Sequence, residues 1–287
     1  MCINLNFFDL HSDLPTYDCL LEEKLNKDLR LRYDNIRVIN AIYKGNRTFY
    51  ESDKIASEFF KAGSYLAFED ACYDDFFVKE GLPNFDLIKK LAIKIKDYSP
   101  LYASLGWNFD NFLCGGCAGD GDLTKYGEFF ISQLNSFNIA VDCAHSNEKS
   151  FYSIVSRADR VLCSHTALKW IYPHKRNIDK EQIKVILQKN GIIGLIGVGH
   201  FLTGIKGNKK NYEEAFFCHL ENYLNEFGSK GLCIGSDFYG SDALVCESGD
   251  YSFVKKIVKR LELWGVSSKD INNLLYENAM HFFKLAV

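Results

Sequence analysis

The sequence predicts an α/β fold, a (β/α)8 TIM barrel that occupies the chain as a single domain, residues 1–287. Short apolar runs rich in β-branched residues alternate with amphipathic segments of helical period. Runs such as 191–198 are apolar throughout, as expected for parallel strands that are buried on both faces. Candidate metal ligands follow one predicted strand after another, and the active sites of such barrels are built from strand ends.

Each apolar run bounded by polar or turn-forming residues is predicted to be a strand, and each segment of helical period a helix. No repeat or linker interrupts the alternation, and none of the four prolines marks a domain boundary. A short helix is expected at 18–29, and the last helix, 268–285, is expected to cap the barrel. The predicted strands are 3–9, 37–43, 64–68, 101–106, 138–142, 160–164, 191–198 and 231–236. The other predicted helices are 51–62, 84–97, 124–136, 147–157, 179–190, 211–227 and 251–264.

Composition is that of an ordinary globular protein, with 47% hydrophobic and 25% charged residues. A net charge of −3, with basic residues spread along predicted helices, argues against a nucleic-acid partner. No stretch reaches the ~18 apolar residues of a membrane span. A secretion signal would have to precede His11 and its removal would damage the candidate site, so none is expected. Ten cysteines without such a signal indicate reduced thiols and a cytoplasmic protein.

One Cys-x-x-Cys motif occurs, at Cys114 and Cys117. Such a pair can be a redox centre or half of a zinc site, but no second Cys-x-x-Cys follows it. The sequence therefore favours a loop with two free thiols.

Histidines and acids that could bind a metal lie at the ends of predicted strands. His11 and Asp13 close the first strand, and because residues two apart point to the same face, both can reach one ion. Glu69 ends the third strand, where burying a bare carboxylate would be costly, and its two oxygens could bridge two cations. His145 and His165 follow the fifth and sixth strands. Nitrogen and carboxylate ligands suit Zn²⁺ or a similar divalent ion.

Three further residues are candidates for catalysis and substrate binding. Asp237 follows the last strand, where an acid next to a metal-bound water could pass a proton to a leaving group, or could itself be a metal ligand. Arg176 and its neighbour Asn177 lie just after the sixth strand, and a guanidinium group suits a substrate carboxylate.

These motifs resemble those of the membrane dipeptidase family (renal dipeptidase-like, peptidase family M19), in order from about residue 7 to residue 283. The matching stretches are Asp9-Leu10-His11-Ser12-Asp13-Leu14-Pro15, Val141-Asp142-Cys143-Ala144-His145, Cys163-Ser164-His165, Arg176-Asn177 followed by 179–183, and Gly235-Ser236-Asp237-Phe238.

The resemblance implies a zinc-dependent dipeptidase on a barrel of the metal-dependent hydrolase type. By this likeness His11 and Asp13 would bind one of two zinc ions, His145 and His165 would bind the other, and Glu69 would bridge them. A hydroxide that bridges the two metals would attack the peptide carbonyl of a small dipeptide substrate. The family tolerates a D-residue at the C-terminal position, and a homodimer is compatible with the sequence.

The resemblance also assigns Arg176 to the C-terminal carboxylate of the dipeptide and Asp237 to proton transfer. One departure concerns Trp107, which occupies the place after the fourth strand where renal-type members carry a substrate-binding histidine, and which is expected to contact the substrate.

Two alternative functions stay open. One is another metal-dependent amide hydrolase of the same barrel type, such as a deacylase for N-acyl amino acids. The other is a non-catalytic metal-binding scaffold, which loss of a ligand or of Asp237 would have favoured, and neither is lost.

Overall fold

The structure is a computed structural model that describes residues 6–17, 35–204 and 208–285. Eight parallel strands form a closed barrel and follow one another around it in sequence order. The predicted (β/α)8 fold is confirmed. The strands are β1 Phe7–Ser12, β2 Ile36–Tyr43, β3 Tyr65–Glu69, β4 Tyr102–Ser104, β5 Ala140–Asp142, β6 Val161–Thr166, β7 Ile192–Ile196 and β8 Leu232–Gly235.

Helices alternate with these strands, and their ends are set by capping residues. Thr48 and Glu51 form a reciprocal capping box, and Asn84, Thr124 and Asn147 each accept a hydrogen bond from the first turn that follows. The longer helices are Phe49–Lys61, Phe85–Lys96, Lys125–Ser136, Glu148–Arg157, Lys180–Gln188, Lys209–Phe227 and Phe253–Leu263. Short helices Leu14–Tyr17, Asp74–Phe77 and Gly199–Leu202 and a hairpin of Val78–Lys79 with Leu82–Pro83 were not predicted.

The chain divides into two compact units. The first unit comprises 1–38, 164–183 and 192–287, and the second comprises 39–163 and 184–191. Within the first unit, β8 pairs with both β1 and β7. Within the second unit, β2 pairs with β3, β3 with β4, β4 with β5, and β5 with the start of β6.

The first strand lies later in the chain than predicted. The apolar pattern ends at Asp9, but the strand continues to Ser12 and all six of its residues are buried. Polar residues are tolerated there because they are hydrogen-bonded: the Asp9 carboxylate accepts from the backbone nitrogen of Ser236 at 2.8 Å. Residues 3–5 of the predicted strand and the predicted helix 18–29 lie outside the described residues.

Three segments replace the single helix that was predicted at the C-terminus. They are Ser268–Asn272, a π-helical turn Asn273–Glu277 and Asn278–Phe283. Leu274, Leu275 and Tyr276 follow one another and are all buried, and the wider π turn lets consecutive side chains share one face. The segment packs on β1, where the ring centroids of Phe8 and Phe283 are 6.1 Å apart.

Two observations bear on the surroundings of the protein. None of the helices in the described ranges is long and apolar enough to cross a membrane. The cysteines of those ranges, Cys114 and Cys117 among them, are free thiols. Burial raises the pKa of the Cys114 thiol well above its usual value, which makes it a poor nucleophile.

Candidate functional site

The first unit brings His11, Asp13 and Asp237 together at the ends of β1 and β8. Backbone pairing continues past both strands, because the Asp237 nitrogen donates to the His11 carbonyl at 3.0 Å and the Asp13 nitrogen donates to the Phe238 carbonyl at 2.8 Å. The potential ligand atoms of the three side chains all lie within 4.8 Å of one another, and all three residues are buried. Strand pairing therefore builds the group without help from a flexible loop.

This donor set fits a divalent cation. The His11 Nε2 atom lies 3.3 Å from Asp13 Oδ1 and 3.9 Å from Asp237 Oδ1. Asp13 Oδ1 is buried and takes part in no hydrogen bond with the described part of the chain. A buried carboxylate oxygen in that state is costly unless a cation compensates it. A Cβ atom at Gly240 would lie 2.4 Å from Asp237 Oδ1 and 2.5 Å from Asp13 Oδ2, so only glycine fits beside the two carboxylates.

Asp237 has the properties of a proton carrier. Burial raises the pKa of its carboxyl and the Asp13 carboxylate raises it further, whereas His11 and Arg176 oppose the shift. Its backbone has a φ of +57°, which is uncommon outside glycine and concentrates at functional sites. A carboxyl with a raised pKa can exchange a proton near neutral pH.

His165 lies at the end of β6, close to His11. The centroids of the two imidazole rings are 3.9 Å apart, and both residues are buried. The hydroxyl of Ser164 lies 2.8 Å from His165 Nδ1 and fixes the orientation of the ring. The first unit thus holds three of the five predicted metal ligands.

Arg176 is buried beside this group with unused hydrogen-bonding capacity. Its Nη2 atom donates to the His165 carbonyl at 3.3 Å, and its guanidinium lies 5.5 Å from the centroid of the Phe201 ring. Arg176 Nε is buried and donates no hydrogen bond to the described residues. A buried guanidinium in this state is prepared for an anionic ligand.

Asn177 has a more structural position than its neighbour. Its side-chain amide donates to the carbonyls of Tyr172 and Phe201, at 2.9 and 2.8 Å, and so holds the loop that carries Arg176. Asn177 Oδ1 is buried and accepts no hydrogen bond from the described residues. The donors of Asn177 therefore support the loop, and its oxygen is the atom that a substrate could contact.

The second unit holds the other two predicted ligands. Glu69, the last residue of β3, places Oε1 3.0 Å from Nε2 of His145. His145 Nδ1 lies 3.0 Å from the side-chain oxygen of Asn108. In the neutral ring, a proton on Nδ1 that is donated to this oxygen leaves the lone pair of Nε2 towards the carboxylate. A nitrogen lone pair and a carboxylate oxygen that face each other are a donor set that suits a metal ion.

Asn108 was not singled out from the sequence as a functional residue. Its side-chain oxygen lies beside Nδ1 of His145 and orients the ring, as hydrogen-bond partners of metal-binding histidines do. The only signal in the sequence was its place in the stretch 105–108 after the fourth strand. Trp107 is half-buried there, and its ring lies 5.2 Å from that of Tyr43 and 5.8 Å from that of His145.

Asp9 was also not predicted as part of the site. It is fully buried, and its Oδ2 atom accepts hydrogen bonds from the hydroxyls of Ser236 at 2.5 Å and Tyr251 at 3.0 Å. Ser236 Oγ also lies 3.2 Å from the carbonyl of His11. These bonds fasten the ends of β1 and β8, from which His11 and Asp237 project. Tyr251 is 242 residues from Asp9 in the chain, so the sequence pattern contains no sign of the contact.

Comparison with known proteins identifies the family. A model of the membrane dipeptidase family (peptidase family M19) matches residues 90–286. The chain belongs to this family. A dipeptidase, tcpJ, from Claviceps purpurea is 27% identical over 164 residues, which cover 56% of this chain and 38% of that protein. The chain spans between 36% and 60% of the length of the curated relatives it matches.

Solved structures of metallopeptidases share the fold. A metallopeptidase from Rhodobacter sphaeroides, bound to a phosphinate mimic of the dipeptide L-Ala-D-Ala, superposes with a TM-score of 0.74 at 17% identity, covering 98% of this chain and 99% of that chain. Dipeptidase AC, an M19 metallopeptidase, superposes with a TM-score of 0.75 at 18% identity, covering 98% of both chains. These likenesses support the barrel described above.

Removing the Asp9 carboxylate should destabilise the fold. Asp9→Ala removes one acceptor of the Tyr251 hydroxyl and of the backbone nitrogens of His11 and Ser236, and leaves the Ser236 hydroxyl with the His11 carbonyl. We expect the free energy of unfolding to fall by about 2–4 kcal/mol. Tyr251→Phe removes one of these bonds and should cost about 1 kcal/mol. Urea unfolding of both variants and the unaltered protein measures the difference. If Asp9→Ala were as stable as Tyr251→Phe, the network would not hold the strand ends together.

Proposed function

We propose that this protein is a zinc-dependent dipeptidase. The observation that carries the proposal is the buried group of His11, Asp13 and Asp237 beside Arg176, whose Nε has no hydrogen-bond partner among the described residues. This group of residues combines side chains that could bind a metal, an acid that could carry a proton and a guanidinium that could bind a carboxylate. Membership of the M19 family supports the assignment.

We further propose a site for two metal ions at the ends of the strands. In a closed parallel barrel the carboxyl ends of all strands share one rim, and each predicted ligand lies at or just beyond such an end. His11 and Asp13 would hold one zinc ion, His145 and His165 would hold the second, and Glu69 would bridge them. Zinc ions bound there would polarise the scissile carbonyl and lower the pKa of water near neutrality.

The side chains of the chain itself account for the remaining steps. Asp237 would accept the proton of the attacking water and donate it to the amine that leaves, which its raised pKa permits. Arg176 would bind the C-terminal carboxylate of the dipeptide through its guanidinium and so limit the length of the substrate. Asn177 Oδ1 and the ring of Trp107 would contact the substrate beside it.

The proposed substrates are dipeptides, including those with a D-residue at the C-terminal position. The phosphinate bound to the Rhodobacter sphaeroides metallopeptidase mimics such a dipeptide, which supports testing this stereochemistry. We propose a cytoplasmic location, with which the free thiols of the described residues agree. A homodimer is compatible with the proposal.

Protein prepared without chelators should contain about two divalent ions per chain, because the donor set described above offers two groups of ligands. Elemental analysis after equilibration with zinc measures the number. Fewer than one ion per chain at saturating zinc would contradict the binuclear site.

Asp237→Asn should keep its metal ions and lose turnover by about 10²–10⁴-fold, because proton transfer by a positioned side chain contributes about that much. The measurement is metal content together with kcat for an L-L and an L-D dipeptide. Asp242→Asn, on an exposed residue of the same loop, is the matched control and should behave as the unaltered protein. If Asp237→Asn instead loses an ion, Asp237 is a metal ligand.

Arg176→Met should reduce kcat/KM for a dipeptide strongly and hardly affect the corresponding dipeptide amide, because only the dipeptide carries the carboxylate that Arg176 would bind. Lys175→Met, which removes an exposed neighbouring charge, is the control. Equal losses on both substrates would make Arg176 structural. Equal cleavage of dipeptides and tripeptides, or faster cleavage of N-acyl amino acids, would favour the broader amide hydrolase.

A further inference from the structure

A cleft of about 460 Å³ opens in the second unit next to Trp107. It combines large aromatic surfaces with charged groups. The side chains that matter for its chemistry are Lys44, Asp70, Asp74, Trp107, Phe109 and Phe112, and this set is called the Trp107 cleft below.

The Trp107 cleft adjoins the pair of Glu69 and His145. Asp70 is the residue after Glu69, and Lys44 follows Tyr43, the partner of Glu69 in the pairing of β2 with β3. The Trp107 ring lies 5.8 Å from the imidazole of His145, so it borders both the cleft and the pair of Glu69 and His145. A group held in the cleft is therefore close to the proposed site of reaction.

Acidic groups outnumber basic ones in the cleft. The Lys44 ammonium donates to the carbonyl of Cys72 at 2.6 Å and lies 3.9 Å from the carboxylates of Asp70 and Asp74. The charge of Lys44 is thus shared between two carboxylates, and Asp110 also lines the cleft. The Asp110 carboxylate accepts hydrogen bonds from the backbone nitrogens of Gly116, Asp120 and Gly121, so it is directed at its own loop. The carboxylates of Asp70 and Asp74 against the single ammonium of Lys44 still give this part of the lining a net negative charge, which attracts a cation.

The aromatic residues of the cleft expose more surface than their type normally does. Phe109 is 67% exposed and Phe112 is 39% exposed. Aromatic faces next to negative charge are the surroundings that recognise an ammonium or guanidinium group, through cation–π attraction and burial of the aliphatic stem. A neutral apolar side chain would gain only from burial of its aliphatic part.

We propose that the Trp107 cleft is a specificity site that binds the cationic side chain of one residue of the substrate, so that dipeptides containing lysine or arginine are preferred. The inference rests on the proposed function for its connection to hydrolysis. The binding of the cationic side chain itself does not depend on catalysis.

Hydrolysis tests the preference. The substrates are dipeptides in which one residue is alanine and the other is lysine, norleucine or glutamate, in both orders. Their variable side chains differ in charge but are similar in length. We expect kcat/KM for the better lysine dipeptide to exceed that of its norleucine counterpart about tenfold and that of the glutamate counterpart by more. Asp74→Asn should reduce the ratio of kcat/KM for the lysine dipeptide to kcat/KM for the norleucine dipeptide about threefold, as expected for a partly exposed carboxylate. The matched control is Asp86→Asn, because Asp86 is also an acid in the first turn of a helix but lies outside the cleft.

Binding of uncleavable probes separates this inference from the proposed function. Nα-acetyl-lysine amide and Nα-acetyl-norleucine amide are titrated into the protein and followed by tryptophan fluorescence, with Trp107→Leu to identify the signal. Tighter binding of the lysine probe that weakens in Asp74→Asn supports the cleft even if no dipeptide is cleaved, in which case only the proposed function fails. Equal binding of the two probes, or a preference for glutamate dipeptides, would overturn the inference while leaving dipeptide hydrolysis intact.

Discussion

The structure depends on keeping ionisable side chains away from water at the ends of the barrel strands. Removing a charge from water costs several kcal/mol unless a partner replaces the lost hydration. Hydrogen bonds from Ser236 and Tyr251 offset part of this cost at Asp9, where burial still raises the pKa of the carboxyl. A cation would compensate the other buried groups, and a metal that binds the folded chain would add its binding free energy to the stability of the fold. These other groups are His11, Asp13, Glu69, His145, His165 and Asp237.

The sequence was most informative where one physical cause dominated. Apolar runs located β3 and β7 within two residues of their ends, because strands buried on both faces leave a continuous hydrophobic signal. The helical period placed the start of the helix Lys125–Ser136 within one residue, at the capping residue Thr124. Strand ends with a histidine or an acid pointed to the candidate site, since barrels place functional groups there.

Long-range polar contacts could not be predicted in the same way. The extension of β1 through Ser12 depends on hydrogen bonds between Asp9 and residues beyond β8, and such pairs arise only when the barrel closes. Asn108 is a similar case, since its contact with His145 depends on how the loop after β4 folds back. The π turn 273–277 results from packing against β1 and β8, which a helical period in the sequence does not encode.

Asp237 illustrates how one position can satisfy two chemical roles. Its distances to His11 and Asp13 suit a shared cation, and its raised pKa suits a proton carrier. A metal ion nearby would lower that pKa, because positive charge favours the carboxylate. A carboxylate that is ionised before the reaction can accept a proton from water, and the proton becomes easier to release as charge builds up on the leaving nitrogen. Asp237 could therefore lie beside a bound cation and carry the proton, provided that it does not coordinate the cation directly.

Trp107 changes what the loop after β4 can do. An indole ring offers one N–H donor and a broad π face, whereas an imidazole can donate, accept or carry charge. A tryptophan at this place offers an aromatic surface to a side chain of the substrate, but it has no ionisable group for the scissile carbonyl. Under the proposed function, metal ions would stabilise the scissile carbonyl, and the residues around Trp107 would contribute to the selection of the substrate.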